Sequence, residues 1–105
     1  MAATLINTTR GTDGTVVVEV RGEIDVASAE RLRQVLNGAS QGRPAGLVVD
    51  LLHVTFIDST GISALVAGYR AAHSVGVHFA IRRPSPIVLA QLHQTGVYGT
   101  LTTDR

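Results

Sequence analysis

A chain of 105 residues holds one domain, and folding at that length removes roughly 60–70% of the surface an unfolded chain exposes, enough for a hydrophobic core. Apolar residues at 45% and charged residues at 16% exclude an intrinsically disordered chain, and aromatics at 4% leave the core to Val, Leu, Ile and Ala. A net charge of +1, with Arg82 and Arg83 the only adjacent basic pair, excludes a basic face for DNA or an anionic membrane, and the absence of cysteine excludes disulfides and thiolate metal sites.

Residues 5–9 read as a strand, and Gly11-Thr12-Asp13-Gly14 reads as a hairpin turn, because an Asp-Gly pair accommodates positive backbone angles. Residues 15–24 alternate, with Val16, Val18 and Val20 on one face and Val17, Glu19 and Arg21 on the other, which is the period of a strand. After Asp25 the period lengthens. Ala29, Leu32, Val35, Leu36 and Ala39 predict a helix that Gly42 and Pro44 end. Residues 46–52 are almost continuously apolar and β-branched, the pattern of a central parallel strand covered on both faces. Ile62, Leu65, Val66 and Tyr69 mark a second helix over 59–75, with Gly76 placed to terminate it. Val77, Phe79 and Ile81 alternate as a third parallel strand. Ser85 and Pro86 open a helix, Ser as cap and Pro in the first position, with Val88, Leu89 and Leu92 turned inward and Gly96 at its end. The residues through Leu101 are expected as a short edge strand.

This order predicts an α/β fold: a mixed sheet of four to five strands packed with helices, with 16–24, 47–52 and 77–82 parallel at its centre and the hairpin strand at an edge. Val18, Val20, Leu32, Leu36, Leu47, Val49, Leu51, Phe56, Leu65, Val66, Phe79, Ile81 and Leu92 are the expected core. Loops that follow parallel strands leave the sheet on one edge, so 22–26, 53–60 and 83–85 are expected together.

At that edge Phe56-Ile57-Asp58-Ser59-Thr60-Gly61-Ile62 runs from a strand into a helix N-terminus. Asp58 suits the first free amides, Gly61 permits close approach of backbone or ligand, and Phe56 and Ile57 plug into the core. Ser59 falls in the first turn with its hydroxyl exposed. On these residues alone, Asp58 and Ser59 read first as an ordinary helix cap.

The segment resembles that of the STAS family, typified by bacterial anti-sigma factor antagonists, which share Phe-hydrophobic-Asp-Ser-Ser/Thr-Gly-hydrophobic. Gly22-Glu23-Ile24-Asp25 is similar to the family's Gly-Glu-Leu/Ile-Asp, and Ser85-Pro86, Leu92 and Thr95-Gly96-Val97 resemble its Ser-Pro helix and following turn. The three motifs stand in the family's order and span most of 16–97. The resemblance implies an anti-sigma factor antagonist, phosphorylated at Ser59 by an anti-sigma factor that is itself a protein kinase and reset by a phosphatase. Unphosphorylated, it captures the anti-sigma factor and frees sigma. The implied partner surface is Glu23, Asp25, Asp58, Ser59, Thr60, Gly61 and Ile62. The alternative within the family is a constitutive subunit of a lipid-transport complex or stress-sensing particle, with Ser59 a contact or cap. About eight residues follow Val97, too few for the C-terminal helix that members of the family carry. The reading is one domain over 1–105, lacking that helix or cut short before it.

The remaining polar residues point to no chemistry. Asp25 reads as the cap of the first helix. His53, His73, His78 and His93 show no ligand spacing, so no metal is expected, and no glycine pattern calls for a nucleotide or other cofactor. A serine nucleophile needs a base and a group to orient it; only His53 falls near the edge and nothing obvious orients it, so no enzyme is expected. The first residues lack the charged and apolar regions of a secretory signal and no apolar run is long enough to span a bilayer, which gives a cytoplasmic expectation without membrane insertion.

Overall fold

The computed structural model describes residues 4–102. Strands β1 (Leu5–Arg10) and β2 (Thr15–Ile24) are followed by helix α1 (Val26–Gln41), β3 (Gly46–Ile57), α2 (Ser59–Ser74), β4 (Phe79–Arg82), α3 (Pro86–Gln94) and α4 (Tyr98–Thr102). The sheet has the order β1-β2-β3-β4, with β1 antiparallel to β2 and the other pairs parallel. The hairpin closes through the Gly11 amide, which donates to the Thr15 carbonyl at 2.8 Å, while Gly14 takes a φ of 86°. Because strand order follows chain order, right-handed crossovers put α1 and α2 on one face of the sheet.

The core lies between that face and the helices. Val16, Val18 and Val20 of β2, Leu47, Val49 and Leu51 of β3 and Phe79 of β4 meet Leu32, Leu36 and Leu65, all buried. Helices α1 and α2 approach closely at Gly68, where a Cβ would stand 2.5 Å from Leu36 Cδ1 and 3.0 Å from its Cβ.

Several expectations are corrected here. The opposite face of the sheet is largely open, so β3 is covered on one face only: Val48 is half-buried and Leu52 is 41% exposed. Phe56 is not a core residue but 41% exposed. β3 runs on to Ile57 with two register shifts against β2, which set Phe56 beside Glu23 and leave Ile57 and Ile24 to point inward. Val66 and Ile81 are half-buried, Ile81 because β4 is the outer strand. β4 begins at Phe79 because the Val77 amide is already given to the Ala72 carbonyl at 2.9 Å, finishing the last turn of α2. The chain after Gly96 forms α4 in place of an edge strand, and this turn buries Leu101 against the core. Ser85 stands at the N-cap of α3 without a side-chain capping bond; its hydroxyl donates instead to the Val54 carbonyl at 2.7 Å.

The open face is held by one carboxylate. Asp50 is 2% exposed because Arg82 and Arg83 lie across it, their guanidinium Nη2 atoms 3.0 Å and 2.5 Å from Oδ2, while the Leu52 amide donates to Oδ1 at 3.1 Å. Burial pushes the pKa up, but the Arg83, Leu52 and Arg82 hydrogen bonds and the Arg83 charge outweigh it and hold the carboxyl at about 2, against an ordinary 3.8. A folded pKa below the unfolded one contributes stability that is complete above the unfolded value and is lost as pH falls through the folded value. Asp50→Asn is therefore expected to cost about 1.5–3 kcal/mol at neutral pH. In urea titrations the gap from wild type should narrow between pH 4 and pH 2; a gap constant across that range would remove Asp50 from the acid response.

Candidate functional site

Two helix N-termini meet where β2 and β3 end. The Asp58 amide donates to the Ile24 carbonyl at 3.2 Å, so the residue that caps α2 sits beside the end of β2 and next to Asp25, the cap of α1. The register pairs Glu23 with Phe56 and Ile24 with Ile57, which brings the Gly22-Glu23-Ile24-Asp25 and Phe56-to-Ile62 segments together as expected. The loop before α3 joins the same end one step back: the Ser85 amide donates to the Leu51 carbonyl at 3.3 Å.

Asp25 closes a capping box. Its Oδ1 accepts from the Ala27 and Ser28 amides at 3.0 and 3.3 Å, and Ser28 Oγ accepts from the Asp25 amide at 3.1 Å. Ser28, 4% exposed, also donates to the Glu23 carbonyl at 3.1 Å and so locks the turn between β2 and α1. Sequence reasoning passed over Ser28; the signal for it was the spacing of three residues between Asp25 and a hydroxyl. The Glu23 carbonyl also takes the Thr4 hydroxyl at 2.5 Å, while among the described residues the Glu23 carboxylate makes no hydrogen bond.

Asp58 caps α2 in the same way, accepting from the Gly61 amide at 3.0 Å and from the Thr60 hydroxyl at 2.5 Å. The Thr60 hydrogen bond holds the Asp58 carboxyl below its usual range, with the Gly61 amide adding to it against the effect of burial. The two hydroxyls that follow Asp58 thereby differ. Thr60 is half-buried with its proton committed to Asp58, whereas Ser59, in the first position of α2, is exposed and its hydroxyl makes no hydrogen bond among the described residues.

Gly61 sets the height of the helix over the sheet. A Cβ there would stand 2.7 Å from Ile24 Cγ2 and Ile57 Cγ1 and 3.0 Å from the Ile24 carbonyl oxygen, so α2 can start this close to β2 only without a side chain. Of the expected contact residues, Ser59 is exposed, Glu23, Asp25, Asp58 and Thr60 are half-buried, and Gly61 and Ile62 are buried. Asp58 directly precedes the serine and Asp25 caps the neighbouring helix, while Glu23 pairs with Phe56 at the end of β2. No cluster of His, Cys, Asp and Glu suited to a metal ion occurs among the described residues, and none of their helices is long and apolar enough to cross a membrane.

A two-layer α/β domain with an exposed serine heading a capped helix at the end of its parallel strands defines a class, and the sequence agrees: residues 8–104 match the STAS domain, and the chain belongs to that family. It is similar to the anti-sigma-F factor antagonist RsfB of Mycobacterium tuberculosis, with 28% identity over 87 residues, 81% of this chain and 69% of RsfB. The crystal structure of an anti-sigma factor antagonist from Mycobacterium paratuberculosis superposes with a TM-score of 0.83 at 30% identity, covering 94% of this chain and 83% of that one. The anti-sigma factor antagonist SpoIIAA in its unphosphorylated form gives a TM-score of 0.70 at 25% identity, covering 88% and 84%.

Gly61→Ala tests the seating of α2. The added methyl meets a backbone oxygen, and the expected loss is about 1–2 kcal/mol after the roughly 1 kcal/mol that Ala gains over Gly in a helix. Urea denaturation measures it; a variant as stable as wild type would mean that Ile24 and Ile57 yield at no cost.

Proposed function

We propose that the protein is an anti-sigma factor antagonist that works by partner switching. It captures an anti-sigma factor while Ser59 is unmodified and releases it once Ser59 carries phosphate. The observation that carries this reading is the division of labour between adjacent hydroxyls: Thr60 is tied to Asp58, and Ser59 is exposed and unengaged at the head of α2. Support comes from the relatives, which are named as antagonists of anti-sigma factors, one of them described by its phosphorylation state. The kinase in this reading is the anti-sigma factor itself, and a separate phosphatase restores the free hydroxyl.

The chemistry of the switch is local. Phosphate replaces one hydroxyl donor with acceptor oxygens and adds about −1.5 to −2 charges. The Asp58 carboxylate already takes the Gly61 amide, and the remaining N-terminal amides of α2 favour a further anion by at most about 0.3–1 kcal/mol. The fold therefore survives modification. A partner group placed to accept the Ser59 proton meets the opposite situation: at about 5 Å and an effective dielectric of about 20, two unit negative charges repel by about 3 kcal/mol before screening by salt. Half of that weakens binding about tenfold.

Incubation with candidate anti-sigma factor kinases and ATP, followed by mass-spectrometric mapping, is expected to place the phosphate on Ser59 in the wild type and in Thr60→Ala. Ser59→Ala should bind the anti-sigma factor and take no phosphate, while Ser59→Glu should bind at least tenfold more weakly with an unchanged melting temperature. Phosphate on Thr60, or equal affinity of the Ala and Glu variants, would overturn the reading.

A further inference from the structure

Beside Ser59, on the helix side of the edge, a groove of about 330 Å³ runs between the first turns of α1 and α2. Its floor is Ala29 and Ala64, 7% and 3% exposed, and Thr60 and Ser63 line it from α2. Small residues on both helices leave the space unfilled. On the α1 side stands Val26, 73% exposed in the first helical position. An acidic or capping side chain would serve the helix better there, and the first turn of α1 has no acidic residue. Val26 thus exposes apolar surface that adds little to the fold.

The rim is electrically closed. Arg33 Nε donates to Glu30 Oε1 at 3.0 Å and its Nη2 to Oε2, so these two lining side chains satisfy each other. An apolar side chain entering the groove covers Ala29, Ala64 and Val26 and gives up only water, whereas a charged one would compete with the exposed Glu30–Arg33 pair for a partner.

We propose that this groove is the anchor pocket of the partner surface: it receives one large uncharged apolar side chain, of the Leu, Met or Phe kind, from the anti-sigma factor that engages Ser59, with Val26 packed along it. The proposal rests on the partner-switching reading of Ser59. Thr60, adjoining Ser59 in the chain and lining the groove, makes anchor and switch parts of one continuous surface. Affinity then comes from a site that phosphate does not touch, and release comes from the neighbouring serine.

The test uses the full chain and an anti-sigma factor shown to phosphorylate Ser59, with Kd read by calorimetry and melting temperature read alongside. Val26→Glu and the groove-filling Ser63→Trp both alter exposed positions and should not lower the melting temperature while weakening binding at least tenfold; Val26→Leu should bind like wild type. Variants binding within twofold of wild type would overturn the anchor and leave the switch standing. Weakening by Val26→Glu alone, with Ser63→Trp unaffected, would also overturn it, because a filled groove cannot accept a side chain. Failure of the wild type to bind any such kinase would overturn the reading of Ser59 and the anchor with it.

Discussion

Everything at the candidate site depends on how closely the head of α2 seats on the end of β2. The Asp58 amide reaches the Ile24 carbonyl, and Gly61 clears Ile24 and Ile57 by having no side chain. That single approach fixes the start of α2 and brings its cap beside the cap of α1. It also decides which hydroxyl is free. With Asp58 held in place, its carboxylate takes the Gly61 amide and the Thr60 proton, and Ser59 is left at the surface. A side chain at Gly61 would lift the helix, and the distinction between the two hydroxyls would loosen with it.

The same economy of layers shapes the rest of the domain. With α1 and α2 on one face, the other face of the sheet must manage without a second helical layer. It does so with charge: Asp50 draws Arg82 and Arg83 over its carboxylate, joins β3 to β4 and fixes the turn before α3, in which Arg83 takes a φ of 52°. Two half-exposed arginines cover one buried carboxylate, so the polar group at the centre of the sheet keeps its hydrogen bonds. The Ser85 hydroxyl works toward the same end, tying the loop to β3 through Val54 at the expense of its own helix cap.

The charge at the two ends of the fold is used differently. On the open face, opposite charges neutralise one another. At the strand ends, the caps Asp25 and Asp58 stand at two helix N-termini beside an exposed serine. Positive helix ends stabilise these carboxylates within the domain, so the acidic edge costs the fold little. A phosphate added there meets the same balance: tolerable to its own chain, adverse to any group that had been accepting the hydroxyl proton.

How much of this was legible depends on whether a feature is local. The alternation of Val16, Val18 and Val20, the helical spacing of Leu32 and Leu36, the Asp-Gly hairpin turn and the caps Asp25 and Asp58 follow from the preferences of neighbouring residues, and each element stands where the sequence puts it. The order of those elements already implied parallel crossovers and a shared edge. Local pattern failed where burial is decided by distant partners. A continuous apolar run in β3 looked covered twice, but no residue within it states whether a helix returns to the second face. Phe56 looked like core because the register shifts that turn it outward arise from pairing with β2, some thirty residues earlier in the chain. The segment after Gly96 coils because burying Leu101 against the core outweighs adding a strand. Sequence alone determined the elements through α3, their order and the motif that carries Ser59. Tertiary structure decided which hydroxyl is free, that Val26 borders an unfilled groove, and that Asp50 needs two arginines, because close approach and desolvation exist only once distant segments meet.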